Sequence, residues 1–119
     1  MEGTRHIPDG VAAFDIIRAE APDVDAIFFG TDILASGAVL RALELGLKIP
    51  DDIAIAGNGD LDFAEHMRPS LTTIRIPSYD MGFAAGRMLL RRLNGQDVEE
   101  KVHTQPISLK ARQSTERTS

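Results

Sequence analysis

Two short stretches of the 119-residue chain place small polar side chains directly after apolar runs. One is Gly30-Thr31-Asp32 and the other is Gly57-Asn58-Gly59-Asp60. Thr31 can donate or accept a hydrogen bond, Asn58 can do both, and Asp60 accepts from hydroxyls. Recognition of a polyhydroxylated molecule needs that mixture. The same residue types also cap helices and shape turns, so Thr31 and Asp32 can start a helix while Asn58 and Asp60 bend the chain. The candidate ligand-binding set is Thr31, Asp32, Asn58 and Asp60.

Catalysis requires a nucleophile with a base, paired carboxylates or a metal. Asp60 and Asp62 are the close carboxylate pair near a strand end, and alternate spacing in a loop does not turn them towards each other. The run GNGDLD at 57–62 resembles part of a calcium loop but lacks the closing Glu and enough oxygens. Gly57-x-Gly59 is not a dinucleotide fingerprint, because Asp62 stands where its last Gly should be. There is no Cys, hence no thiolate and no disulfide framework. His6, His66 and His103 lie far apart, with no second ligand in metal spacing. The expectation is a protein that is not an enzyme and holds no metal or cofactor.

Composition narrows the partners. Net charge is −5, whereas a free-standing nucleic-acid module carries a basic face. The basic cluster Arg87, Arg91 and Arg92 reads as a solvated helix face, so this chain alone is not expected to bind duplex DNA. No run approaches the roughly 18 apolar residues of a membrane span. The N-terminal MEGTRHIPDG has no apolar core and is not expected to be a signal peptide. Hydrophobic residues make up 43%, aromatics only 5%, and Trp is absent, so the apolar mass is aliphatic, as buried parallel strands prefer.

For the two polar stretches to meet, the flanking elements must lie side by side. Pro8-Asp9-Gly10 opens a helical pattern with Val11, Phe14, Ile17 and Ala21 on one stripe. Val24–Phe29 reads as a buried strand. Thr31-Asp32 offers an N-cap for a helix over Ile33–Leu45, with Gly46 as its C′ residue and Leu47 as the accompanying apolar contact. Ile53–Ala56 is a second apolar strand. Strand, amphipathic helix, strand is a right-handed βαβ unit with parallel strands, and the preceding helix extends it to an α/β sheet. Residues 57–62 read as a loop, followed by a short helix to about Met67. Leu71–Ile76 is a β-branched strand ending at Pro77. Ser78 or Asp80 can cap a further helix to Leu93, ended by Asn94-Gly95. Val102–Leu109 is an edge strand interrupted at Pro106, and the polar tail from Lys110 is expected to fray. In open parallel sheets ligands bind beyond the carboxyl ends of the strands, which is where both polar stretches fall.

The stretches DAIFFGTDILASGAVLRALELGLKIPDDIAIAGNGD and LTTIRIPSYDMGFAAGRMLLRRLNG, with the Arg112-x-Ser114-Thr115 ending, resemble the C-terminal part of the LacI/GalR family of bacterial transcription regulators. The loop GNGDLDFA looks most like the gluconate-repressor branch. The resemblance implies an α/β fold: a parallel-sheet, Rossmann-like lobe of a periplasmic-binding-protein-like fold. Residues 7–76 would form the C-terminal lobe, 77–100 a crossover helix of the other lobe, and 101–119 a terminal strand and tail. It implies a cytoplasmic effector-sensing region that binds a sugar or sugar acid, works as a homodimer, and acts on DNA through an N-terminal headpiece outside this chain. Thr31, Asp32, Asn58 and Asp60 would line the ligand cleft. Leu34, Ala38, Ala64 and Met67 are the implied dimer positions. Family members commonly carry Asp where Gly59 stands, so Asn58 or Asp60 would have to take over its hydroxyl contacts. The alternative on the same fold is a periplasmic sugar-binding protein of a transporter.

Overall fold

A computed structural model of the chain describes residues 6–97 and 101–117. They fall into two compact bodies, Met1–Arg75 with Leu109–Ser119, and Ile76–Ser108. The first body holds the sheet.

Helix α1 spans Ile7–Glu20 and starts earlier than its turn-like opening suggests. Pro8 sits in the first turn, where a missing N–H costs nothing. The Asp9 carboxylate accepts from the His6 N–H at 2.9 Å, closing the helix start. Gly10 and Phe14 are its buried residues, while Val11 and Ile17 are half-buried and Ala21 is exposed at the C-cap.

Strand β1 is Ala26–Phe28, shorter than the apolar run that predicts it, and it is an edge strand rather than a buried one. With a neighbour on one side only among the described residues, it leaves Phe28 60% exposed. Helix α2, Asp32–Glu44, begins at Thr31, whose Oγ1 accepts from the Leu34 N–H at 3.2 Å. It ends as its sequence predicts: Leu47 N–H bonds the Ala42 carbonyl, Gly46 N–H bonds that of Leu43, both at 3.0 Å, and Gly46 takes φ 78°.

Strand β2 is Ala54–Gly59 and runs parallel to β1, in the register Ala26–Ala54, Ile27–Ile55, Phe28–Ala56. Gly57-Asn58-Gly59, expected in a loop, belongs to this strand. It is held there because β3, Thr72–Arg75, pairs parallel along it as far as Gly59–Arg75. A single 3₁₀ turn at Ala64–His66 occupies the short-helix segment. Strand β4, Ser108–Lys110, completes the order β1-β2-β3-β4 and is much shorter than the expected Val102–Leu109.

One cluster of buried side chains unites α1, α2 and the sheet: Phe14, Phe29, Val39, Ile53, Ile55 and Leu71, with Ala35, Ala38, Ala42 and Ala64 filling between them. The small residues let the helices close up. A Cβ on Gly10 would collide with the Leu34 carbonyl of α2, and one on Gly37 with the Ile7 carbonyl of α1. Outside that crossing, Arg41 bonds Asp15 at 2.9 Å and Glu44 at 3.1 Å, and these acceptors raise its pKa. The implied dimer positions all take part in this packing. Ala38 and Ala64 are fully buried inside this body, while Leu34 and Met67 are half-buried against its core.

Residues 111–117, after β4, do not fray. Residues Gln113–Thr115 form a 3₁₀ turn packed on β2 and β3. Ser114 is fully buried: its Oγ donates to the Ile55 carbonyl and accepts from the Thr72 N–H at 2.8 Å. Thr72 Oγ1 accepts from the Arg112 N–H at 2.8 Å and lies 2.6 Å from Thr115 Oγ1. Arg117 donates to the carbonyls of Pro50 and Asp25 at 3.0 and 2.7 Å. A polar composition signals fraying only when its donors and acceptors have water as their best partner, and here they complete a sheet.

The second body is built on α3, Ser78–Leu93. Its N-cap is Pro77, so neither Ser78 nor Asp80 caps it. Ser78 instead turns its hydroxyl back to the Ile76 carbonyl at 3.4 Å. Tyr79 and Phe83 stack with centroids 6.4 Å apart, and Arg87 lies 5.8 Å over the Phe83 ring.

Candidate functional site

The carboxyl ends of β1 and β2 lie side by side because the two strands are parallel neighbours. Asn58 ties them together, its Nδ2 donating to the Gly30 carbonyl at 3.3 Å. Thr31 is half-buried and uses one lone pair for the α2 cap, which leaves its hydroxyl proton and a second lone pair.

Asp32 lies beneath the strand-end loop. It is fully buried, and both carboxylate oxygens are already engaged. Oδ1 accepts from Thr73 Oγ1 at 2.6 Å and Oδ2 from the Leu61 N–H at 2.8 Å. Thr73 Oγ1 in turn accepts from the Asp60 N–H at 3.2 Å. The short chain Asp32–Thr73–Asp60 therefore fixes the strand-end loop from below. Gly57 makes room for it, since a Cβ there would run into Asp32 Oδ1.

Asp60 is the residue this scaffold presents. It is a non-glycine residue in the left-handed region, φ 52°, which Asp tolerates better than most types. Its side chain is 13% exposed, and Oδ1 lies 2.9 Å from Nη1 of Arg112, itself 16% exposed. The same Nη1 donates to the Leu71 carbonyl at 3.0 Å.

Of the four candidates, Thr31, Asn58 and Asp60 stand together at the strand ends and Asp32 supports them. Thr73 and Arg112 are the participants that residue-level reading missed. Arg112 is visible in the sequence only as part of the Arg-x-Ser-Thr ending, with no sign of its partner. Among the described residues there is no group of three or more His, Cys, Asp or Glu that could hold a metal ion, and no helix is long and apolar enough to cross a membrane.

Residues 1–115 match the family of periplasmic binding protein-like domains. The chain is 38% identical over 106 residues to the HTH-type transcriptional regulator GntR of Pseudomonas aeruginosa, covering 89% of this chain and 31% of that protein. It superposes on the transcription regulator GntR of Chromobacterium violaceum with a TM-score of 0.87 at 35% identity, covering 92% of this chain and 41% of that one. A LacI family transcriptional regulator of Lactobacillus casei, solved with bound sucrose, matches with a TM-score of 0.78 at 36% identity over 92% of this chain and 41% of its own. The chain thus spans about a third of the length of the curated relatives it matches.

Proposed function

Because the chain belongs to the LacI/GalR family of bacterial transcription regulators, as a stretch of its periplasmic-binding-protein-like domain, we propose that it senses a small polyhydroxylated effector, a sugar acid such as gluconate, for a cytoplasmic repressor. The observation that carries this is the set Thr31, Asn58 and Asp60 at two adjacent strand ends, with Asn58 bonded to the Gly30 carbonyl and the Asp60 N–H tied through Thr73 to buried Asp32. Thr31 and Asn58 supply donors and acceptors, and Asp60 accepts from ligand hydroxyls. Sites for hydroxyl-rich molecules need a few fixed polar groups in a partly dry pocket. The sucrose-bound relative favours a sugar ligand, and the names of the relatives are those of regulators, not of enzymes or transport proteins. DNA contact, dimer formation and the remaining ligand contacts belong to the whole regulator.

Titration calorimetry of the whole protein against gluconate, neutral sugars and a purine tests the reading. Asp60→Ala should weaken sugar binding by about ten- to a hundredfold, the equivalent of about 1.5–3 kcal/mol for bonds to a charged acceptor. Unchanged affinity removes Asp60 from the site. Binding of the purine alone sinks the sugar reading.

A further inference from the structure

The chemistry around Asp60 says more than that a polar ligand fits. Asp32 and Asp60 meet at the hydroxyl of Thr73, which donates to the Asp32 carboxylate and accepts from the Asp60 backbone N–H. Asp32 is fully buried and, among the described residues, takes neutral donors only. The cation on this network is Arg112, delivered by the segment after β4 and 2.9 Å from Asp60. Both partners of that pair are largely withdrawn from water, where opposite charges attract more strongly and salt screens them less. Among the described residues, Arg112 uses only Nη1, on Asp60 and on the Leu71 carbonyl. Its Nε and Nη2 donors remain unengaged there.

We infer that Arg112 is the specificity-determining counter-ion of the strand-end site: by neutralising Asp60 it turns an anion-repelling surface into one that admits a sugar carboxylate. This rests on the proposed role of Asp60 in ligand contact. Arg112 acts through Asp60 and through the local potential, so it is a positioning and charge-setting residue. Without it, an incoming carboxylate meets two negative groups and, among the described residues of this network, no positive one. A neutral polyol with the same hydroxyls meets no such penalty. The quantity that reports Arg112 is therefore the ratio of affinities for an acid and its neutral analogue, in which hydroxyl contacts and loop order largely cancel.

The experiment measures dissociation constants of the whole regulator for D-gluconate and for the neutral D-glucitol by calorimetry. Arg112→Gln should shift the gluconate-to-glucitol affinity ratio against gluconate by roughly tenfold or more, the scale of one like-charge juxtaposition. Arg112→Lys, which keeps the charge, should hold the ratio near the parent value. Should Arg112→Gln fail to fold, Asp60→Asn reads the same effect with opposite sign, moving the ratio towards gluconate. A ratio unchanged in Arg112→Gln or Asp60→Asn, while the individual affinities change, overturns this inference alone. Individual affinities that ignore Asp60→Asn remove Asp60 from the site and overturn both readings. A parent protein that binds glucitol only overturns the inference, and one that binds neither overturns both.

Discussion

Replacing Thr73 by Val removes one oxygen and almost nothing else. Thr73 is fully buried and its hydroxyl has two partners: it donates to Asp32 Oδ1 at 2.6 Å and accepts from the Asp60 N–H at 3.2 Å. Valine fills the same volume, so no cavity contribution enters. The bond to the buried carboxylate should account for about 1.5–3 kcal/mol, since an acceptor with charge loses a donor and gains no water. The Asp60 N–H is only part-buried and adds about 0.5–1 kcal/mol. The expected total is about 2–4 kcal/mol, read in urea unfolding as a midpoint lower by about 1 M or more with the slope unchanged. Thr73→Ser keeps both bonds, loses one methyl and should cost about 1 kcal/mol. Ligand affinity should fall with Thr73→Val as well, because the Asp60 backbone loses its anchor. If Val is as stable as Thr, or Ser costs as much as Val, the buried Asp32–Thr73–Asp60 chain does not hold the loop.

Three further outcomes follow from the packing. Ser114→Ala leaves the Thr72 N–H and the Ile55 carbonyl without their partner and should lower stability by about 2–4 kcal/mol in the same unfolding assay. Gly37→Ala forces α1 and α2 apart at their crossing and should cost about 1–3 kcal/mol, visible as a lower thermal midpoint, whereas a neutral result would show the helices free to shift. Gly46→Ala should cost about 1 kcal/mol at its positive φ, while Gly30→Ala, which has open space around it, should be close to neutral; equal effects would contradict the helix-end geometry.

What the sequence discloses here is what short-range patterns control. The α2 start at Thr31 and its end at Gly46-Leu47 follow from bonds spanning three to five residues, and both form as their residue types predict. The parallel pairing of β1 and β2 follows from the helix between them, since a crossover of that length permits little else. The rest depends on partners far along the chain. Asn58 and Gly59 look like loop residues until Ile74 and Arg75 pair with them. Asp32 reads as a helix start or a ligand contact until Thr73, 41 residues later, bonds it. Arg112 and Ser114 look like tail until Asp60, Thr72 and Ile55 receive them. Apolar periodicity carries no information about which polar groups will meet, because polar partners are chosen by geometry that only the assembled sheet supplies.

The placement of Ser114 sets a timetable for synthesis. Its contact with Thr72 spans 42 residues and that with Ile55 spans 59. A ribosome adding about 5–20 residues per second takes roughly 2–8 s to cover the shorter distance. Through that interval β2 and β3 can pair, yet the N–H of Thr72 and the carbonyl of Ile55 have no protein partner, and Asp60 has no guanidinium. The nascent lobe is therefore held short of its final state by its own chain order. Full resistance to proteases should arrive in one late step, when residues 112–115 clear the exit tunnel.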